Sequence, residues 1–394
     1  MPRLILLTQH RHFELSFNER ETIFDVLKRI GIPSSMVSLI LKPADSNLIS
    51  SVSLFQKLSD FKKGDEIYIR IIRNLDIDNF SPILGFQKRE MFTTEWIETF
   101  EKPDGSIGRT LVQLNQEEAE KSVIEAAKDF FKEHQYFGKD RILVGASGGG
   151  DSNALMNALY ASISPDKIIV VTLLGFPDWT KASGERARLL CQKYKFQQII
   201  VSPDEVAQCC NFKLSLPEVI NSFKSRFGSK EIIFLSTFAI QQCLIKKAEE
   251  FKIRDVILGA NREDVLGEAL YYITRGIIPA PFPVRPFGDY NFGFPLWLVP
   301  KKIIDGVHPK LSLENYAERD PGSTQWRDRF YFISHLLEDN SFGGDILLLK
   351  GLSQISQTNK QWLKESGEPH QLVVKYADEV AQKNWLEWFK QISY

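Results

Sequence analysis

Arg141-Ile-Leu-Val-Gly-Ala-Ser-Gly-Gly-Gly-Asp-Ser-Asn-Ala-Leu155 joins an apolar strand to an apolar helix through a short glycine run. Arg141–Val144 reads as a buried strand, Asn153–Ser162 as a helix, and Ser147-Gly-Gly-Gly-Asp-Ser152 lies between them. Consecutive glycines let a backbone approach a ligand closely and take up positive φ where needed. The N–H groups that open the helix carry its partial positive charge and make an anion site. Ser147 and Ser152 add hydroxyl donors. Asp151 would repel a phosphate by itself, so a carboxylate here makes sense beside a divalent cation. A tight strand–helix turn capped by Ser or Asp is the plainer alternative. Six such residues in strand–loop–helix context favour phosphate binding over it. The loop is neither a Walker A motif, which needs a Gly-Lys-Ser/Thr ending, nor GxGxxG.

Around this loop the pattern alternates. The spacing predicts helices at Glu117–Glu133, Lys181–Tyr194 and Phe238–Phe251, and strands at Lys167–Leu173, Gln198–Ser202 and Asp255–Leu258. Such alternation implies a doubly wound parallel sheet covered by helices on both faces. Residues 276–300, rich in Pro, Gly and Phe, read as an irregular packed loop, and residues 301–394 as a helical C-terminal region, clearest at Trp326–Leu337. Residues 1–75 show strand, strand, helix, strand, strand: Arg3–Leu7, Phe13–Phe17, Glu21–Ile30, Met36–Leu41 and Ile67–Ile72. A hairpin turn is expected at Gln9–Arg11, and the helix is expected to stop at Gly31-Ile-Pro33. In the connector 76–115, TEWIETF and GRTLVQL flank Lys102-Pro-Asp-Gly-Ser106, a second hairpin signal.

The glycine loop resembles the SGGxDS loop of the PP-loop ATP pyrophosphatases, a superfamily that includes tRNA thiolases, lysidine synthetase, and GMP and NAD synthetases. The stretch Cys243 to Gly276, containing Gly259-Ala-Asn-Arg-Glu-Asp264, is similar to the helix–strand–GHxxDD–helix segment of the tRNA 2-thiocytidine and 2-thiouridine synthetases. The likeness covers residues 116–290 or so, including Arg285-Pro-Phe287, with an echo at Gly322–Asp328. It implies an adenine nucleotide alpha-hydrolase-like fold in the domain 116–300. It also implies an ATP site at Ala146, Ser147, Gly148, Gly149, Gly150, Asp151, Ser152 and Gly259, with adenine near Leu173 and Leu174. Asp151 and Asp264 would be the catalytic carboxylates that position Mg²⁺, and Arg275 and Arg285 are candidate substrate or phosphate contacts. For Glu263 and Asp264 a solvated helix start is the alternative. Residues 1–75 resemble the ubiquitin-like β-grasp sulfur carriers, most clearly at the closing KKGDEIYIRII.

The chain departs from the family at several points. Gly150 fills the loop's variable position, and Ala260 stands where relatives have histidine. Phe234-Leu-Ser-Thr237 replaces the CxxC of the cluster-bearing thiolases, and Glu318–Ser323 lacks their third cysteine, so neither an iron–sulfur cluster nor zinc is expected. Cys209, Cys210 and Cys243 are candidates for a sulfur relay, with burial in the core as the commoner fate. Residues 68–75 lack the Gly-Gly end of a sulfur carrier. A docking or substrate-binding module is therefore expected there, with a packing appendage as the alternative.

Composition narrows the classes further. The chain has 394 residues, four cysteines and a net charge of −1. No run of about 18 apolar residues is present, which argues against a membrane helix. The opening segment reads as a first strand rather than a secretory signal, so a cytoplasmic location is expected. Basic residues at Lys181, Arg186, Arg188, Lys193 and Lys195, and at Lys246, Lys247 and Lys252, have the spacing of solvated helix faces rather than of a tRNA track. The expected activity is cleavage of ATP to AMP and pyrophosphate to activate a carbonyl, on tRNA or a small molecule. Either sulfur (thiolation) or an amine or ammonia would then attack. A degenerate nucleotide-binding module without catalysis is the alternative. A protein partner at the N-terminal domain and a homodimer are further expectations.

Overall fold

The computed structural model describes residues 1–7, 12–30, 32, 37–45, 50–71, 93–101, 107–176, 179–308, 337, 343–360 and 379–394. Contacts divide it into two units, the first built on Met1–Gln116 and the second beginning at Glu117 and including Ile346–Tyr394.

The first unit contains a five-stranded sheet of β1 (Arg3–Leu7), β2 (His12–Glu14), β3 (Val37–Lys42), β4 (Ser50–Ser51) and β5 (Glu66–Ile71), in the order β2-β1-β5-β3-β4. β1 and β5 run parallel at its centre, while β2 and β3 flank them antiparallel. Alternate residues of the central strands, Leu4, Leu6, Ile67 and Ile69, share one core with Ile23, Val26 and Leu27 of the helix Ile23–Ile30, as the two-residue strand period requires. β6 (Thr94–Glu101) and β7 (Ile107–Leu114) form a separate antiparallel hairpin. The turns foreseen at Gln9–Arg11 and Lys102–Ser106 lie outside the described residues, as do Gly31 and Pro33 of the expected helix stop.

The second unit is a six-stranded sheet of β8 (Ile142–Gly145), β9 (Ile168–Leu173), β10 (Gln197–Val201), β11 (Asp255–Leu258), β12 (Val284–Phe287) and β13 (Tyr290–Gly293). Its order is β10-β9-β8-β11-β13-β12, with all neighbours parallel except the β12–β13 hairpin. Every residue of β9 is buried, because a central parallel strand is covered on both faces. Leu143, Ile169, Val171 and Val256 enter one hydrophobic core, and Ile142, Val144, Val170 and Ile257 enter the other. The sheet is thus doubly wound, as the alternating pattern predicts. The helix Lys301–Val307 adds Ile304 and Val307 to the second core, while Gly344–Ser356 and Glu379–Ile392 add Leu349, Leu352, Trp385, Trp388 and Ile392 to the first.

Residues 276–300 require a correction. They are not irregular throughout: they hold β12 and β13, which extend the sheet past β11. Pro286 hides this, since proline is confined to edge strands, and β12 is the edge. Two helices between β10 and β11, Pro203–Cys209 and Leu216–Phe227, were also not foreseen. Of the helix expected at Trp326–Leu337, all but Leu337 lies outside the described residues.

Trp388 is buried at 1% exposure, its ring meets Phe223, Phe227 and Trp385, and its Nε1 donates to Ser222 Oγ at 2.9 Å. Trp388→Ala should therefore lower the unfolding free energy of this unit by about 3–5 kcal/mol. Urea denaturation measures it, and an unchanged midpoint would contradict this packing.

Candidate active site

β8 ends at Gly145, and the helix that follows begins at Gly150, three residues earlier than the sequence pattern suggests. The early start is set by Gly149, an extended N-cap with no side-chain cap bond, so the first helical amides lie at the loop itself. Gly148 has φ +76°, and a Cβ there would stand 2.0 Å from the carbonyl oxygen of Ser183. The loop is therefore pressed against the start of the neighbouring helix, Lys181–Tyr194. Gly148 O accepts from Arg186 Nε (3.1 Å) and Asn153 Nδ2 (3.4 Å), Ser147 Oγ accepts from Gly149 N (3.3 Å), and Ser152 Oγ donates to Gly149 O (3.0 Å). Of the two serines, Ser147 is exposed and Ser152 buried. Arg186 is not part of a solvated face, as its spacing suggested: it is 7% exposed and braces the loop.

The second motif meets this loop. Between β8 and β11 the strand order reverses, and ligands of doubly wound sheets bind in the crevice beyond the carboxyl ends of such a pair. Gly259, just past β11, is so close that a Cβ would lie 3.1 Å from the Asp151 carbonyl carbon and 3.2 Å from the Ser152 nitrogen. Asn261 Nδ2 donates to Asp151 Oδ1 at 2.9 Å. Asn261 is also the N-cap of the helix Arg262–Ile273, in a capping box with Asp264: its Oδ1 accepts from Asp264 N at 2.8 Å, and Asp264 Oδ2 accepts from Asn261 N at 3.4 Å. Asp264 thus takes the capping role considered for it, at the same asparagine that touches Asp151. Glu263 is not solvated; it is 3% exposed and accepts from the backbone N–H of Lys301 at 2.9 Å.

Lys301 completes the cluster. Its ammonium lies 3.0 Å from Asp151 Oδ1 and 3.0 Å from Asp305 Oδ1. Sequence reasoning passed over both Asn261 and Lys301. Only a residue one turn before Asp264 could have pointed to Asn261. Lys301 is 150 residues from Asp151 and carries no local signal.

Asp151 and Asp264, both partly exposed and both joined to Asn261, could give a divalent ion two carboxylates. Among the described residues no group of three or more His, Cys, Asp or Glu is arranged to hold a metal. The set therefore fits magnesium arriving with a triphosphate, which takes one or two carboxylates and fills its other positions with phosphate oxygens and water. It does not fit a closed all-protein cage.

The remaining candidates are more dispersed. Leu173 closes β9 inside the core and Leu174 is half-buried beside it. Arg275 is exposed, with its guanidinium 3.6 Å from the Tyr271 ring centroid. Arg285 is buried, paired to Glu268 Oε1 at 2.8 Å and bonded to Pro281 O at 3.2 Å. Cys209, Cys210 and Cys243 do come together. Hydrogen bonding to Cys243, then burial, raises the Cys209 thiol far above its ordinary range. Its bond to Cys209 pulls the Cys243 thiol down, but the bond to Cys210 and burial outweigh this and raise it. Burial pushes Cys191 up to about 12. Protonated thiols are weak nucleophiles.

No family model matches the chain, and no curated protein matches it. Solved structures do. They include the U34-tRNA thiolase NcsA from Methanococcus maripaludis with its 4Fe-4S cluster, at 17% identity and a TM-score of 0.44 over 65% of this chain and 83% of that one. An NH3-dependent NAD synthetase from Campylobacter jejuni matches at 17% identity and a TM-score of 0.34, over 61% and 96%. An NMN synthetase from Francisella tularensis matches at 14% and 0.38, over 64% and 97%. The neighbours, among them the thiolase and the NAD synthetase, are members of the PP-loop ATP pyrophosphatase superfamily.

Gly148→Ala tests the loop. A left-handed backbone alone costs a residue with a Cβ about 1–2 kcal/mol, and the contact with Ser183 O adds to it. The melting temperature should fall by at least about 2–4 °C. An unchanged melting curve would contradict the close approach.

Proposed function

We propose that the protein is an ATP-dependent adenylating enzyme that cleaves ATP to AMP and pyrophosphate at Ser147–Ser152. The observation that carries this reading is the meeting of the glycine loop with Asn261, itself bonded to Asp264, and with Lys301 at the switch point of the sheet. A helix start without a side-chain cap offers backbone amides to an anion. The carboxylates beside it would be out of place near phosphate unless cations accompany them.

In this mechanism the amides of Gly150, Asp151 and Ser152 and the exposed hydroxyl of Ser147 hold the β- and γ-phosphates. A substrate carbonyl oxygen attacks the α-phosphorus, the α–β bridging bond breaks, and pyrophosphate leaves with the electron pair. The same amides stabilise the charge that develops on the leaving group. Asp151 and Asp264 would hold a magnesium ion brought with the triphosphate, and it would supply further neutralisation of that charge. A nucleophile then adds to the adenylated carbon and expels AMP.

For the acceptor we infer a tRNA base, and for the nucleophile sulfur brought by an external donor. An amine or ammonia nucleophile is the second reading, and the high thiol pKa values of Cys209 and Cys243 favour it over a relay within the chain. The N-terminal sheet is proposed as a β-grasp docking module for substrate or partner.

Release of AMP and pyrophosphate from Mg·ATP should be measured for the wild type and Asp151→Ala, with and without total tRNA, with sulfide or ammonium. The wild type should release both products, more with tRNA, and Asp151→Ala should lose on the order of 100-fold or more. Release unaffected by tRNA would move the acceptor to a small molecule or protein. ATP binding without cleavage under every condition would favour the degenerate nucleotide-binding module.

A further inference from the structure

One side chain at the candidate site is a cation held between two carboxylates. Lys301 is 13% exposed, and its Nζ bridges Asp151 Oδ1 and Asp305 Oδ1 at 3.0 Å each. Its backbone N–H is fixed by the buried Glu263, and its short helix is anchored by Ile304 and Val307, both fully buried. The ammonium is therefore placed from both its ends on the Asp151 oxygen that also accepts from Asn261. That oxygen is one a divalent ion would use.

Two cations cannot share one carboxylate oxygen at contact distance without strong repulsion, which falls only as the inverse of their separation. An incoming metal must therefore displace Lys301, or leave Asp151 Oδ1 to it. Lysine carries a compact charge on a flexible four-carbon stem and binds phosphate as a point charge. It needs none of the octahedral geometry that magnesium demands.

We propose that Lys301 is a built-in cation of the nucleotide site: it neutralises Asp151 in the free protein and moves onto the triphosphate when nucleotide binds, so that binding depends only weakly on magnesium. The proposal rests on the nucleotide reading above. It makes Lys301 a positioning residue for the loop carboxylate and a specificity determinant for polyphosphate. Magnesium would then be needed for cleavage rather than for capture. Without the lysine charge, Asp151 is left uncompensated beside the arriving phosphates, and a metal ion becomes necessary to bring them together.

The test is calorimetric titration with α,β-methylene-ATP, which cannot be cleaved at the bond in question. It is run on the wild type, Lys301→Gln and Lys301→Arg, in EDTA and in excess MgCl2, with a melting curve for each protein. The wild-type Kd should differ by less than about 3-fold between the two buffers, whereas Lys301→Gln should weaken at least about 10-fold in EDTA and recover with magnesium. Lys301→Arg, which keeps the charge, should bind in EDTA within about 3-fold of the wild type. Should Lys301→Gln fail to fold, the wild-type and Lys301→Arg titrations decide alone. A wild type that loses 10-fold or more in EDTA, or a Lys301→Gln protein indistinguishable from it in both buffers, overturns the role of Lys301 and leaves the nucleotide reading standing. No binding of the analogue by folded wild type in either buffer overturns the nucleotide reading itself.

Discussion

The candidate site depends on one close approach: the glycine loop after β8 is held in backbone contact with the residues after β11. Gly148 fits under the Ser183 carbonyl and Gly259 fits against the backbone of Asp151 and Ser152 because neither has a Cβ. This places the start of one helix, the cap of another and the side chain of Lys301 in a single crevice. The parallel sheet brings about the approach. Both strands emerge at the same edge, and the chain leaves them in opposite directions, toward β9 on one side and β13 on the other.

Charge is distributed to match. Asp151, Glu263, Asp264 and Asp305 gather there, and each has a partner: Asn261 and Lys301 for Asp151, a backbone amide for Glu263 and for Asp264, Lys301 for Asp305. Arg186 holds the loop from behind. On the proposed reading the helix amides are in place before an anion arrives, and Asn261 and Lys301 offset the charge of Asp151 beside them. The three clustered thiols differ in kind. Mutual hydrogen bonding and burial raise the thiols of Cys209 and Cys243, which suits packing rather than sulfur transfer.

Much of this was legible in the sequence because its signals are local. The run Ile142–Val144, three glycines and an apolar helix report the strand, the loop and the turn directly, and Asp255–Leu258 and Lys181–Tyr194 read with the bounds the structure has. What escaped is non-local or disguised. β12 and β13 carry Pro, Gly and Phe in place of the usual β-branched run, since one is an edge strand and the other lies beside it. Arg186 sits among surface cations, and only the tertiary fold turns it inward. Lys301 pairs with an acid far along the chain, and no spacing rule reports such a contact. Asn261 was passed over both as the cap of its helix and as a partner of Asp151, a bond that requires both loops to be in place.

The central claim concerns which bond of ATP is broken. Phosphorus NMR of ATP incubated with the protein, magnesium, total tRNA and a sulfide or ammonium donor reads it directly. The account predicts AMP and pyrophosphate appearing in equal amounts, from attack at the α-phosphorus. ADP and inorganic phosphate in their place would contradict it, because a loop that holds the β- and γ-phosphates as one leaving group cannot give those products.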